Sequence, residues 1–346
     1  VIFFNDIKRT DEQRGVFGEV SFAMTDTTEL SIGARWYDIA VDFEGSANSS
    51  FYNGFGNPDT QQFGSNLSAQ YAPGNANGYP DVAETDGVIG KVTYSWKPSE
   101  DKMYYVTWSE GFRPGLLNRP VGRTSADGSY SVPPSVDSDE ITNWEFGWKN
   151  TLQDGRLRFN GSIFRVDVSG LQSTIFDPSI VNLFFSDNAA DAEIKGVEGD
   201  FIYYTEGGLI LSGAFSLLDT EITKSLIPTG DIIVGQELAF APGYQANVSG
   251  RKEWTMEGGN TGFWQLQFTM SDKSYSDIMQ PNRAKQDSYN LTNIRAGMTN
   301  DEWTAEMYID NVTDERAEIS NTFVFDRQRV AVIRPMTVGL RYKLKF

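Results

Sequence analysis

Apolar and polar side chains alternate with period two along most of the chain. Leu30, Ile32, Ala34 and Trp36 fall on one face, and Ser31, Gly33, Arg35 and Tyr37 on the other. Val92, Tyr94 and Trp96 oppose Lys91, Thr93 and Ser95 in the same way, and Trp144, Phe146 and Trp148 oppose Glu145, Gly147 and Lys149. Leu209, Leu211, Phe215 and Leu217 make another such face, and Trp264, Leu266, Phe268 and Met270 a further one. Helical spacing fits none of these runs, so the chain is predicted to be all β. The predicted strands are 12–25, 29–45, 87–99, 103–115, 139–153, 156–176, 191–205, 209–225, 244–256, 262–277, 286–299, 303–318 and 332–346. Many exceed the usual five to six residues. They reach the roughly nine to eleven that a tilted strand needs to cross hydrocarbon.

The connections sharpen this picture. Short turns fall at 26–28, 99–101, 154–155, 206–208, 258–260 and 300–302, and long connections at 46–86, 116–138, 177–190, 226–243, 278–285 and 319–331. Short and long alternate strictly, the rhythm of an antiparallel up-and-down transmembrane β-barrel with tight turns on one side and long loops on the other. A Greek-key sandwich would scramble it, and varied loop lengths leave no fixed repeat. The bland alternative is a soluble β-rich surface-binding protein, which would release into buffer without detergent.

Composition then removes whole classes of function. The 346 residues carry a net charge of -18, which argues against nucleic acid. With no histidine and no cysteine, Ser-His-Asp and Cys-His catalysis and Cys-ligated zinc are excluded. No enzyme activity, cofactor or metal site is expected. Aromatic residues reach 13%, while the mean hydropathy is -0.39; a barrel that alternates apolar and polar residues averages out in this way. The opening residues, from Val1 to Asp6, lack an initiating Met, a basic region and an apolar stretch, and read as a cut into something longer.

The last segment, 338–346 (VGLRYKLKF), places Val338, Leu340, Tyr342, Leu344 and Phe346 on one face and Arg341, Lys343 and Lys345 on the other. A terminal aromatic residue with this alternation, here Tyr342, Leu344 and Phe346, resembles the signal that bacterial outer-membrane barrels present to the barrel assembly machinery. Residues 104–115 (YYVTWSEGFRPG) resemble the Y-x-x-x-S-x-G-F-R-x-G strand of TonB-dependent outer-membrane receptors. Further pieces follow in that family's order: 16–22 and 30–37 as a hairpin, WEFGWK at 144–149, FRVDVSGLQ at 164–172, IKGVE at 194–198, LAFAP at 238–242 and YIDNVTDE at 308–315. Together they cover nearly the whole chain.

The resemblance implies a 22-stranded barrel with an N-terminal plug inside it. About thirteen strands fit here, so residues 1–346 are expected to be the C-terminal portion of such a barrel, with the plug domain and TonB box absent from this chain. The implied activity is active uptake of a scarce ligand, foremost an iron-siderophore complex. The implied partners are outer-membrane lipid and, through the missing plug, the TonB-ExbB-ExbD energy-coupling complex. Uptake of a saccharide or another nutrient is an alternative. So is a complete passive channel, with residues 1–8 as one more strand to make an even fourteen.

Candidate ligand-binding residues fall on the long loops. Arg113, Arg119 and Arg123 suit an anionic ferric siderophore or lipopolysaccharide, since guanidinium groups bind carboxylate or phosphate bidentately; the alternative is a plain ion pair of Arg113 with Glu110 or Asp127. Tyr52, Phe55, Tyr71 and Tyr79, among many Asn residues of loop 46–86, suit stacking on sugars or simply a solvated loop. Arg35, Glu145, Lys149, Glu198 and Asp200 are expected to face the lumen and the plug. Asn311-Val312-Thr313 is formally a glycosylation sequon, with no glycan expected on a bacterial strand.

Overall fold

The computed structural model describes residues 3–49, 82–118, 124–177, 180, 184–324 and 327–344. The first strands are β1 (Phe3–Thr25), β2 (Thr28–Ser49), β3 (Val82–Ser99) and β4 (Lys102–Arg113). The two-residue strands β5 (Leu116–Leu117) and β6 (Ser135–Val136) pair within the next connection. Then come β7 (Asp139–Leu152), β8 (Leu157–Ile175), β9 (Phe185–Tyr204), β10 (Leu209–Ser225), β11 (Tyr244–Thr255) and β12 (Thr261–Ser271). The short pair β13 (Ser274–Tyr275) and β14 (Lys285–Gln286) precedes β15 (Tyr289–Thr299) and β16 (Trp303–Asp310). The hairpin of β17 (Glu318–Val324) and β18 (Arg327–Val332) leads into β19 (Thr337–Leu344). Thirteen strands form one antiparallel sheet whose order follows the chain, β1-β2-β3-β4-β7-β8-β9-β10-β11-β12-β15-β16-β19.

The alternation that predicted the strands also predicts their faces. Val92, Trp108 and Trp144 are cross-strand partners in one row, and Ile163, Val197 and Leu217 in another, all on the same side of the sheet. Among the described residues no second layer lies over this apolar side: Leu340 is 84% and Val16 70% exposed. A water-soluble sheet of such composition would bury it, whereas the lipid-facing side of a transmembrane barrel leaves such rows uncovered by protein. Aromatic pairs mark the tight-turn ends of the strands, with ring centroids 5.7 Å apart for Trp96–Tyr104 and for Trp148–Phe159, and 6.0 Å for Trp303–Tyr342. Such rings suit the interface between lipid and water.

The opposite side is a polar ladder. Hydroxyl pairs link Ser21 to Ser31 at 2.7 Å, Thr93 to Thr107 at 2.9 Å and Ser212 to Ser249 at 2.9 Å. Arg341 reaches Glu306 at 2.6 Å, and Lys91 lies 3.6 Å from Glu19. Phe17, opposite Arg35, is an apolar exception on this side.

Four expectations are corrected. The first strand begins at Phe3, so residues 3–8 belong to β1 and supply no separate strand for a fourteen-stranded channel. Thirteen alternating strands leave β1 and β19 pointing the same way, so they cannot close on each other as an antiparallel pair. Strand β9 begins at Phe185, not 191: its polar Asp187-Asn188 stretch reads as loop, yet it pairs with 172–173 of β8 past a bulge. At that bulge Gly170 has φ +65°, a left-handed conformation that favours glycine. The predicted strand 303–318 stops at Asp310, because Asn311 and Asp314 turn the backbone left-handed, and the predicted loop 319–331 holds the β17–β18 hairpin instead.

Candidate functional site

Among the described residues the principal buried cluster lies in the long connections and not along the middle of the sheet. Tyr130, Val132, Ile180, Ile227, Ile232, Ile278 and Met279 from four of them pack with Ile175, Phe185, Ala189, Ala190 and Ile222 from the ends of β8, β9 and β10. Burying such side chains stabilises by about 1.5–3 kcal/mol each, enough to hold these loops as one folded cap. A smaller cluster joins Val41, Ala83 and Leu117.

Polar pairs lock the cap to the strands. The Tyr130 hydroxyl donates to Asp187 Oδ2 at 2.6 Å, and burial, reinforced by that carboxylate, pushes the phenol above its ordinary pKa. Asn118 donates to the carbonyls of Pro133 and Ser186 at 3.0 and 2.7 Å and accepts from the Ser186 amide. In the connection between β13 and β14, the guanidinium of Arg283 lies 4.0 Å over the Tyr275 ring. Burial pushes Asp277, in the same segment, above the ordinary carboxylate range.

Arg113 is tied into this architecture. Its Nε donates to Asp139 Oδ2 at 2.7 Å, its Nη2 contacts the same oxygen, and its backbone N–H donates to Oδ1 at 3.1 Å. Its Nη2 also donates to the Gln172 carbonyl at 3.1 Å, while Gln172 Nε2 donates to the carbonyls of Pro114 and Asp137, both at 2.9 Å. The partner is therefore Asp139, not Glu110 or Asp127 as expected. Glu110 accepts from the Gly90 amide and Asp127 from the Ser125 and Ser129 hydroxyls. Segments 104–115 and 164–172, recognised separately in the sequence, meet here. Asp139 and Tyr130 were missed because strand periodicity carries no signal for a contact between distant loops.

Asp127 organises the loop tip. The Ser125 hydroxyl, then the Ser129 amide and hydroxyl, hold its carboxyl down to about 2. A depressed carboxylate pKa stabilises the folded turn above the unfolded value, about 3.9, and that contribution is lost as pH falls through about 2. Exchange of the Ser129 amide should therefore stay protected at pH 4 and accelerate towards pH 2. In Asp127→Asn this pH step should vanish.

Of the expected lumen residues, Glu145, Lys149, Glu198 and Asp200 fall on the polar side. Lys149, Glu198 and Asp200 line a cavity of about 330 Å3 together with Tyr105, Asn160 and Ser162. The Tyr105 hydroxyl donates to Glu145 Oε1 at 2.5 Å, and Asn160 donates to Asp200 at 3.3 Å. Arg35 shares that side on β2, three strands away from β7 in the sheet order. Tyr342 and Leu344 lie on β19, opposite Ala305 and Trp303. Arg119, Arg123, Tyr52, Phe55, Tyr71, Tyr79 and Phe346 lie outside the described residues.

Residues 3–312 match the family model described as TonB dependent receptor-like, beta-barrel. Among solved structures, the chain is similar to the ferric yersiniabactin uptake receptor of Yersinia pestis, with 15% identity and a TM-score of 0.75, covering 98% of this chain and 46% of that one. The siderophore receptor PiuA of Acinetobacter baumannii gives 17% identity and a TM-score of 0.67, with 97% and 43% covered. The ferric-catecholate import receptor Fiu of E. coli K12 gives 14% and 0.66, with 98% and 45% covered. The chain thus spans less than half the length of each of these.

Proposed function

This chain belongs to the TonB-dependent receptor β-barrel family, and from that premise we propose that it serves active uptake of a ferric siderophore across a bacterial outer membrane. The single observation that carries the reading is the arrangement of the wall. A sheet with an apolar outer side and a polar inner side is crowned by loops that fold into one cap, so a ligand meets an ordered mouth above a polar passage. Likeness in fold to receptors described as handling ferric yersiniabactin and ferric catecholates supports the same ligand class here.

In this reading the polar cavity around Lys149, Glu198 and Asp200, with Arg35 and Glu145 nearby, faces a plug supplied by polypeptide outside these residues. That plug would couple to TonB-ExbB-ExbD, and Tyr342, Leu344 and Phe346 would present the chain to the barrel assembly machinery. Arg113 works as a strut for the mouth and not as the anion hook. The role in anion capture passes to Arg119 and Arg123 in the same loop.

The test is accumulation of radiolabelled iron, presented as a panel of ferric siderophores, in iron-starved cells with and without the intact receptor. Receptor-dependent uptake of at least one chelate, lost on deleting TonB, is expected. Uptake of saccharides but of no ferric chelate would overturn the reading.

A further inference from the structure

The ladder between β3 and β4 is incomplete. The two strands pair from Ser99 and Lys102 at the tight turn as far as Lys91 and Ser109, and no further. Just beyond, the Gly90 amide donates to Glu110 Oε2 at 2.9 Å, so a side chain stands in for the missing backbone partner. The strands are tied again where the Gly115 amide donates to the Thr85 hydroxyl at 2.9 Å, beside the cluster of Val41, Ala83 and Leu117. Meanwhile β3 keeps its register with β2 as far as Val82, and β4 keeps its register with β7 as far as Arg113 and Asp139. Residues 86–90 and 110–114 therefore face each other across a slit in the sheet.

The slit encloses a cavity of about 80 Å3, lined among others by Tyr37, Ile89, Glu110, Phe112, Glu140 and Thr142. That is room for an ion and a few waters. Tyr37 is 5% exposed, and its ring stacks on Phe112 with centroids 3.7 Å apart and planes 16° apart. It lies over Gly87, its cross-strand partner, where a Cβ would come within 2.6 Å of the hydroxyl. A buried phenol ordinarily finds a hydrogen-bond partner. Among the described residues the Tyr37 hydroxyl has none.

The charge around it is one-sided. Glu140, Asp86 and Glu110 are the carboxylates whose charge acts on this hydroxyl. Among the described residues none of the three has an ion-pair partner: Arg113 is taken by Asp139, and Lys91 lies against Glu19. Residues 46–86, which lead into β3, contain no Lys or Arg to supply one. No three acidic side chains converge on one point among the described residues. The donor set is thus the Glu110 and Glu140 carboxylates with the Tyr37 and Thr142 hydroxyls. Every donor is an oxygen, which suits a hard cation. Calcium, with six to eight oxygen ligands in flexible geometry, fits so irregular a set better than magnesium does.

We infer that the slit is a site for one calcium ion, held by the Glu110 and Glu140 carboxylates and the Tyr37 hydroxyl oxygen, with waters completing its shell. The ion links β2 to β4 and β7 across the gap that β3 leaves, and so supplies the cohesion that the missing ladder does not. The inference stands apart from the uptake reading and needs no particular cargo.

The test is equilibrium dialysis of the full chain in mild detergent against radioactive calcium. It is run at about 0.3 M NaCl, which screens the diffuse attraction of a chain of net charge -18. Wild type should hold one ion with half-saturation between about 0.1 and 1 mM, as sites of low charge count do. E110Q/E140Q should bind about thirtyfold more weakly and Y37F about threefold. The amide of E110Q can still accept from Gly90, so the double variant should keep its fold. D301N/E302Q, which removes two exposed carboxylates at a distant tight turn, should bind as wild type does. Calcium should also slow hydrogen exchange within 86–90 and 110–113 about tenfold in wild type and not in E110Q/E140Q, with the turn at 99–102 unchanged. No retained ion in wild type, undiminished binding by E110Q/E140Q or by Y37F, or an equal loss in D301N/E302Q overturns the site.

Discussion

Gly147→Val should lower the stability of the folded sheet by roughly 3 kcal/mol, although valine is ordinarily the better strand former. Gly147 on β7 lies directly opposite Tyr105 on β4, and the Tyr105 ring covers it so closely that a Cβ would fall within the ring atoms. The ring cannot simply move aside, because its hydroxyl is tied to Glu145. Overpacking costs about 1–3 kcal/mol, and loss of a hydrogen bond to a charged acceptor about 1.5–3. The measurement is the urea midpoint of the refolded protein, at constant m-value. In a Tyr105→Ala background the same substitution should cost less than about 1 kcal/mol, which isolates the ring as the cause. An equal loss in both backgrounds would show that the strain lies elsewhere.

Asp139→Asn should loosen the mouth while leaving the sheet in place. Asp139 is 4% exposed and accepts from the Arg113 side chain, the Arg113 amide and the Gln172 amide. Removing one partner of a buried ion pair costs about 3–5 kcal/mol. Arg113 is 56% exposed and water can reclaim it, so roughly 2–3 kcal/mol is expected here. Hydrogen exchange should accelerate at Gln172 and Arg113, and protease should cut faster within 114–138, with little change in the tight turns at the other end. Arg113→Gln should be milder, since the carboxylate keeps its two backbone donors. Equal effects of the two substitutions would contradict this ordering.

Much of the sheet was legible because a single period governs it. Side chains alternate between an apolar and a polar side, so each strand announces both its existence and its faces, and Phe146 could be assigned to the same side as Trp144 from spacing alone. The ends were harder. Beyond the apolar band, past Lys195, β9 still pairs with β8 and β10, but its side chains meet the long connections and the β8 bulge, and Asp187 and Asn188 bond to Tyr130 and Gly170. The strut at Arg113 was half legible: its arginine and Gln172 stood in recognisable segments, but the choice of Asp139 over Glu110 depends on how β4, β7 and β8 stagger.

The nucleus shared by the long connections has an evolutionary consequence. Ile180, Ile227 and Ile278 come from three different connections yet occupy one apolar interior. None of these segments can be swapped, lengthened or tagged on its own without opening a void under the other two. If the loops receive a ligand as proposed above, its preference must drift by concerted exchange of several loops at once, or by changes confined to the outermost tips, of which the Ser125–Asp127–Ser129 turn is one.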